Sequence, residues 1–226
     1  YTLLDRAVAD GAFPGGVLAV GHHGQLAVHA FGKQSYEAGA ASVTPETIYD
    51  TASLTKAVVT TTLAAMLVES GQLDVNAPVE RYLPEFARQS GDWPATAGRR
   101  SQLTVRNLLT HTSGLPAYRE YFKSAKTRRD LVSLAMAEPL EVEPGAKSAY
   151  SDIGFILLGE TLERLMGLPL DRAAQERIFA PLGMDATMFN PPASLRAKIA
   201  PTENDTEFRK RFVHGEVHDE NCWVMG

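Results

Sequence analysis

The stretch Thr51-Ala52-Ser53-Leu54-Thr55-Lys56 runs directly into the apolar segment 57–68, and it decides the fold. The run from Val58 to Thr62 is β-branched, which favours a strand. An unbroken segment of this length is nevertheless more typical of a helix than of a strand of ~5–6 residues. Thr51 can act as the helix N-cap, and Gly71 can adopt the left-handed conformation that ends the helix. The stretch therefore predicts a helix surrounded by protein.

Ser53 and Lys56 are three residues apart, so a helix places their side chains on one face. A serine hydroxyl becomes a strong nucleophile when a base takes its proton, and a lysine can be that base if desolvation lowers its pKa. The positive helix N-terminus also stabilises the oxyanion that forms. The alternative is a helix cap followed by a solvated lysine. The apolar run after Lys56 favours the catalytic interpretation, because a charge beside a core is costly unless it is used or paired.

The composition describes an ordinary globular protein of 226 residues, long enough for one large or two intertwined domains. A formal net charge of −5 and a pI near 5.7 argue against nucleic acid as a partner. The single cysteine, Cys222, excludes an internal disulfide. No window is apolar enough for a membrane span. Because Tyr1 is not an initiator methionine, we expect a leader removed on export, to the periplasm or outside a bacterial cell, with the cytoplasm as the alternative.

Residues 1–60 predict the N-terminal part of an α/β domain, made of a helix, a β-hairpin and the start of the nucleophile helix. The hairpin strands are Gly16–Val20 and Gln25–Phe31, joined by Gly21-His22-His23-Gly24. The adjacent histidines suggest a metal site, but the other histidines lack paired-ligand spacing, so none is predicted. A two-stranded sheet is marginal alone, so further strands must complete it.

Residues 61–200 predict a mainly helical region, and 201–226 an irregular segment. The helices begin at Thr104, at Thr127, at Ile153 and at Pro169, and Arg88–Arg100 is a predicted surface loop.

Ser53-Leu54-Thr55-Lys56 followed by Tyr150-Ser151-Asp152 resembles the first two signature elements of the serine β-lactamase and penicillin-recognising hydrolase family. The similarity is strongest to its class C β-lactamase-like, esterase and D-alanyl-peptidase branch, in which the second element is usually Tyr-x-Asn. Supporting stretches in the family's order are 108–115, 154–159 and Pro181-Leu182-Gly183-Met184. The resemblance covers nearly the whole chain.

The resemblance implies that Ser53 is the acylated nucleophile, Lys56 its proton acceptor and Tyr150 the second general acid/base. Without the family resemblance, the alternative interpretation of Tyr150 is an aromatic residue that packs after a turn. Asp152 departs from the usual Asn. The difference matters because a carboxylate only accepts hydrogen bonds and adds charge. The change holds Lys56 cationic or alters recognition of the acyl amide, and Asp152 is the predicted substrate-binding residue.

The family's third element, Lys/His-Thr/Ser-Gly on a strand, is not found, since His214-Gly215-Glu216 has the wrong middle residue. In relatives that strand supplies one of two oxyanion donors, and losing one donor costs ~10²–10³ in rate. We therefore expect the last strands of the fold to come from a C-terminal part. His111 and Ser113 resemble a second catalytic pair, but in this family their loop is structural.

Together these observations predict an α/β, β-lactamase-like fold: an antiparallel sheet flanked by helices, with an all-helical inserted region. The predicted function is hydrolysis of an ester, amide or β-lactam through a Ser53 acyl-enzyme, without cofactor or metal. Carboxylesterase or D-amino-acid peptidase activity ranks above β-lactamase activity because of Asp152. The alternative is a non-catalytic relative that binds penicillin or peptidoglycan-like ligands.

Overall fold

A computed structural model describes residues 2–87 and 98–226. The chain forms two compact units, the first made of Tyr1–Asp50 and Asn190–His218, and the second of Thr51–Phe189 and Asp219–Gly226. Most of the predicted surface loop from Arg88 to Arg100 falls on residues 88–97, which lie outside the described residues. Its last residue was predicted wrongly, because Arg100 is buried and donates hydrogen bonds to the carbonyls of Phe86 and Met136.

The first unit begins with helix α1 (Thr2–Ala9) and the antiparallel strands β1 (Gly15–His22) and β2 (Gln25–Gly32). The strands pair from Gly15 with Gly32 to His22 with Gln25. The turn residues His23 and Gly24 have φ angles of 47° and 77°, as a tight hairpin of type I′ requires. The predicted opening helix and hairpin are therefore confirmed.

The unit also contains the short antiparallel strands β3 (Glu203–Asp205) and β4 (Arg211–Val213). The prediction that 201–226 is irregular was therefore wrong for these residues. Asp205 explains the turn between the strands, since its carboxylate accepts hydrogen bonds from the backbone N–H groups of Glu207, Phe208 and Arg209.

The second unit is helical and carries the main core, built around fully buried leucines such as Leu63, Leu108 and Leu157. Its α-helices are α2 (Thr62–Glu69), α3 (Pro84–Ala87), α4 (Val105–Leu109), α5 (Arg128–Ala137), α6 (Asp152–Met166), α7 (Leu170–Ala174) and α8 (Glu220–Met225). Two π-helical segments, Lys56–Thr61 and Gln175–Phe179, adjoin α2 and α7. Within the described ranges, no helix has both the length and the apolar character needed to cross a membrane.

The segment after Ser53 is helical as predicted, but the β-branched run up to Thr61 lies in the wider π-helix Lys56–Thr61, and only Thr62 belongs to the α-helix. Gly71 has a φ of 74°, so the predicted left-handed end of α2 is confirmed. The predicted burial was only half right. Val59, Leu63 and Leu67 are buried, whereas four apolar residues of the segment are exposed; we call them the exposed apolar residues, and they are Leu54, Val58, Met66 and Val68.

Helix caps follow the sequence closely in this unit. Thr104 and Thr127 both form capping boxes, with Asn107 and Asp130 respectively. Thr51 was predicted as a side-chain cap, but its backbone carbonyl accepts from the Leu54 N–H at 3.0 Å and Thr55 is the N-cap of the π-helical segment, without a side-chain bond.

Candidate active site

The candidate nucleophile Ser53 lies in the turn that leads into the helix at Leu54. The residue before it, Ala52, has a φ of 45°, a left-handed conformation that is uncommon for a residue with a Cβ atom. One turn later, the Lys56 Nζ lies 3.1 Å from the Ser53 Oγ. The predicted pairing of the hydroxyl and the amine on one face is therefore present.

Helix α6 brings the second pair of predicted residues to this amine. Ser151 is the N-cap of α6, and its Oγ accepts from the Gly154 N–H at 3.1 Å and donates to the Pro116 carbonyl at 2.7 Å. This cap places Tyr150 and Asp152 on either side of the helix start. Asp152 Oδ1 lies 2.6 Å from Lys56 Nζ, and the Tyr150 ring centroid lies 5.0 Å from it.

The structure thus brings together Ser53, Lys56, Tyr150 and Asp152, all within the second unit. The amine is the centre of the group, because each of the other side chains contacts it. The buried hydroxyl of Ser151 is the cap that positions its two neighbours.

The charge of Lys56 differs from the first hypothesis. Burial alone lowers the pKa of Lys56, but the hydrogen bonds to Asp152 and Tyr150, together with their negative charge, outweigh burial and raise it above the ordinary value. The expectation that desolvation lowers this pKa was therefore wrong, while the expectation that Asp152 favours the ammonium form agrees with the 2.6 Å contact. At neutral pH the site holds an ammonium paired with a carboxylate.

His111 is the residue whose contacts the sequence did not predict. Its ring packs 4.5 Å from the Tyr150 ring and 5.0 Å from the Phe155 ring. Burial, and then the positive charge of Lys56, lower the pKa of His111, and Asp152 and the contact with Ser151 only partly offset them. Ser113 belongs to the loop itself, where its Oγ accepts from the Leu115 N–H at 3.2 Å.

Helix α8 contributes one more unpredicted neighbour of the site. Cys222 is exposed to solvent, but the protein atoms packed around its thiol, followed by the negative charge of Asp219, raise the pKa of the thiol to about 12, and the charges of Lys56 and Asp152 also act on it. The thiol is therefore protonated and is not a competing nucleophile. No motif in the sequence links Cys222 to Ser53.

The four side chains gathered at this site suit nucleophilic chemistry. Asp152 is the carboxylate among them and its Oδ1 contacts the Lys56 ammonium, whereas a zinc site needs several converging nitrogen, sulfur or oxygen ligands. A hydroxyl next to an amine and a phenol can form a covalent acyl intermediate and exchange protons with a leaving group.

Comparison with known proteins decides the family. The sequence profile of the family described as Beta-lactamase matches residues 2–222. The chain belongs to the Beta-lactamase family. A protein of Salmonella agona, provisionally named D-alanyl-D-alanine carboxypeptidase, is 32% identical over 199 residues, which cover 80% of this chain and 45% of that protein.

Solved structures show the same fold as this Beta-lactamase family chain. EstCE1, described as a hydrolase with promiscuous acyltransferase activity, is 28% identical with a TM-score of 0.74, over 89% of this chain and 54% of that one. A beta-lactamase/D-alanine carboxypeptidase from Pseudomonas syringae is 26% identical with a TM-score of 0.73, over 88% and 53%. The predicted family and β-lactamase-like fold are confirmed. The chain spans about half the length of the relatives that it matches.

Proposed function

We propose that this chain carries the nucleophile of a serine hydrolase, which cleaves an ester, amide or β-lactam through an acyl-enzyme on Ser53. The observation that supports it most directly is the position of Lys56 Nζ, 3.1 Å from the Ser53 Oγ and 5.0 Å from the centroid of the Tyr150 ring. A proton can therefore pass between the nucleophile, the amine and the phenol without a metal or organic cofactor.

In the proposed mechanism, the Ser53 Oγ attacks the substrate carbonyl and its proton goes to the Lys56–Tyr150 pair. An ammonium with a phenolate and an amine with a phenol carry the same total charge, so the two groups act as one base with a shared proton. Tyr150 then protonates the leaving group, and in the second half-reaction it takes a proton from the water that releases the acyl group. The helix that begins beside Ser53 favours the negative oxyanion.

We rank esters and D-amino-acid peptides above β-lactams as substrates. The Asp152 carboxylate accepts hydrogen bonds but cannot donate one to an acyl amide, as the usual Asn does. Because Lys56 neutralises the Asp152 carboxylate, the site can still bind acyl groups that carry no charge. One relative is named as a D-alanyl-D-alanine carboxypeptidase, which supports D-amino-acid peptides, and another as a hydrolase with promiscuous acyltransferase activity, which supports an acyl intermediate.

The second candidate is a relative that binds penicillin or a peptidoglycan-like ligand without turning it over. The Asp152–Lys56 ion pair favours it, because a lysine held as ammonium is a poor base. A stable acyl-enzyme that water cannot release would be the result.

Two probes separate these candidates: a fluorescent penicillin, for covalent labelling, and p-nitrophenyl acetate, for turnover. We expect wild type to release nitrophenol at a rate at least about 10²-fold above that of Ser53→Ala, since the nucleophile is absent from the variant. Penicillin labelling that depends on Ser53, without nitrophenol release, would support the binding protein. If neither probe distinguishes wild type from Ser53→Ala, the serine hydrolase proposal is wrong.

Two further parts of the proposal concern the surroundings of the protein. A C-terminal segment of the same fold, in one chain or as a separate fragment, completes the sheet and supplies the second oxyanion donor. The protein acts in the periplasm or outside the cell, where peptidoglycan-like substrates are found.

A further inference from the structure

His111 holds Tyr150 through both of its chain neighbours. The His111 carbonyl accepts from the Ala149 N–H at 2.8 Å, and the His111 Nδ1 accepts from the Ser151 N–H at 3.0 Å. One residue thus fixes the peptide groups before and after Tyr150. The phenol ring between them packs against the imidazole, with the ring centroids 4.5 Å apart.

The backbone of His111 is adapted to this arrangement. Its φ of 56° is left-handed, a conformation that Asn, Asp and His adopt more often than other residues with a Cβ atom. It turns the carbonyl and the ring of the same residue toward 149–151. The next residues anchor the loop, because the Thr112 N–H donates to the Asn107 carbonyl at 2.8 Å and the Thr112 Oγ1 accepts from the Asn107 Nδ2 at 3.1 Å.

We propose that His111 is the positioning residue of this site: its neutral imidazole, with Nδ1 as the acceptor, fixes Tyr150 where the phenol exchanges protons with Lys56. The proposal rests on the proposed function, which gives Tyr150 its role. It differs from simple packing in requiring an acceptor at Nδ1 and an uncharged ring.

Protonation of His111 would remove both properties. A proton on Nδ1 would face the Ser151 N–H donor, and the imidazolium would add positive charge near Lys56, with only the Asp152 carboxylate to oppose it. The lowered pKa of His111 keeps the ring neutral at neutral pH. Tyr150 should therefore lose its fixed position at acid pH, below the ordinary histidine pKa of ~6.5.

The experiment compares His111→Asn and His111→Ala in the full chain. Asn tolerates the left-handed backbone and offers an amide oxygen as acceptor, but it does not titrate. We expect Ala to lower kcat/KM for p-nitrophenyl acetate by about 10²-fold, as misplaced catalytic groups do, and Asn to lower it less. The step in kcat/KM at acid pH that follows His111 should disappear in His111→Asn, whereas the rise at higher pH that follows Lys56 should remain. His22→Asn, at the exposed hairpin turn, is the matched control.

A second readout does not need activity. We expect 3-fluorotyrosine at position 150 to give one ¹⁹F NMR signal that shifts with a single acid titration step, and that step should be missing from His111→Asn and present in His22→Asn. An acid step that persists in His111→Asn would overturn the proposal, and so would a signal unaffected by His111→Ala. If wild type and Ser53→Ala are equally inactive while the ¹⁹F step behaves as expected, the proposed function fails and the positioning role stands.

Discussion

At the scale of single residues, Asp152 sets the charge of the site because its Oδ1 lies 2.6 Å from Lys56 Nζ. Asp152→Asn removes the negative charge that stabilises the ammonium. The pKa of Lys56 should then fall, because the carboxylate charge that favours its ammonium form is gone. The rise of kcat/KM with pH should move to lower pH accordingly. We expect pH profiles with p-nitrophenyl acetate to show this move to lower pH once the background rate of Ser53→Ala has been subtracted. The exposed control Asp171→Asn should not show it. Superimposable wild-type and Asp152→Asn profiles would contradict it.

The same ion pair links stability to pH, with a sign that follows from the raised pKa of Lys56. A folded-state pKa above the unfolded value means that the pair stabilises the protein fully below the unfolded pKa of ~10.4, and that this contribution is lost as the pH rises through the folded pKa. Wild type should therefore exceed Asp152→Asn in urea midpoint at about pH 7, and the difference should shrink at about pH 11. A difference that grows with pH would show that the ion pair does not stabilise the fold.

At the scale of elements, the N-terminus of α6 matters most, because one cap positions two site residues. Ser151→Ala removes the acceptor for Gly154 and the donor to Pro116, and a lost cap costs about 1 kcal/mol. Thr127→Ala removes the cap of α5 in the same way and leaves the site untouched. We expect both variants to lose similar unfolding free energy in urea, whereas only Ser151→Ala should lower kcat. If Ser151→Ala and Thr127→Ala had equal kcat values, the cap of α6 would have no role in catalysis.

The elements that sequence predicted well are those fixed by local chemistry. The Gly21–Gly24 turn and the threonine caps at 104 and 127 depend on neighbours in sequence, so their residues identify them directly. Strands β3 and β4 were missed because residues such as Glu203 and Asn204 have low β-propensity, and their pairing depends on residues farther along the chain.

The site shows the same division between local and distant information. Ser53 and Lys56 were found from their spacing in a helix, whereas Tyr150 and Asp152 were found only through the family resemblance. The charge of Lys56 could not be read from its own surroundings in sequence, since it depends on a carboxylate 96 positions away (152 − 56). His111 was assigned to packing because no local pattern shows that its Nδ1 meets the Ser151 N–H.

At the scale of the whole molecule, the exposed apolar residues near the nucleophile lead us to propose that further protein covers them in the natural state. Val58 is 40% exposed and Leu54 64%, and the chain spans about half the length of its relatives. We expect intact-mass measurement of the natural protein to give a value well above 24.5 kDa, or a fragment that co-purifies with this chain. Purification of a fully active species of 24.5 kDa alone would show that no further strands are needed.

The left-handed backbone at Ala52 has a consequence for anyone who tries to make this protein more heat-resistant. A library screened only for melting temperature should favour Gly at position 52, because Gly adopts this conformation without a Cβ penalty. The same change would make the backbone next to the proposed nucleophile Ser53 more flexible. Thermostability and turnover would then be selected in opposite directions at a single codon.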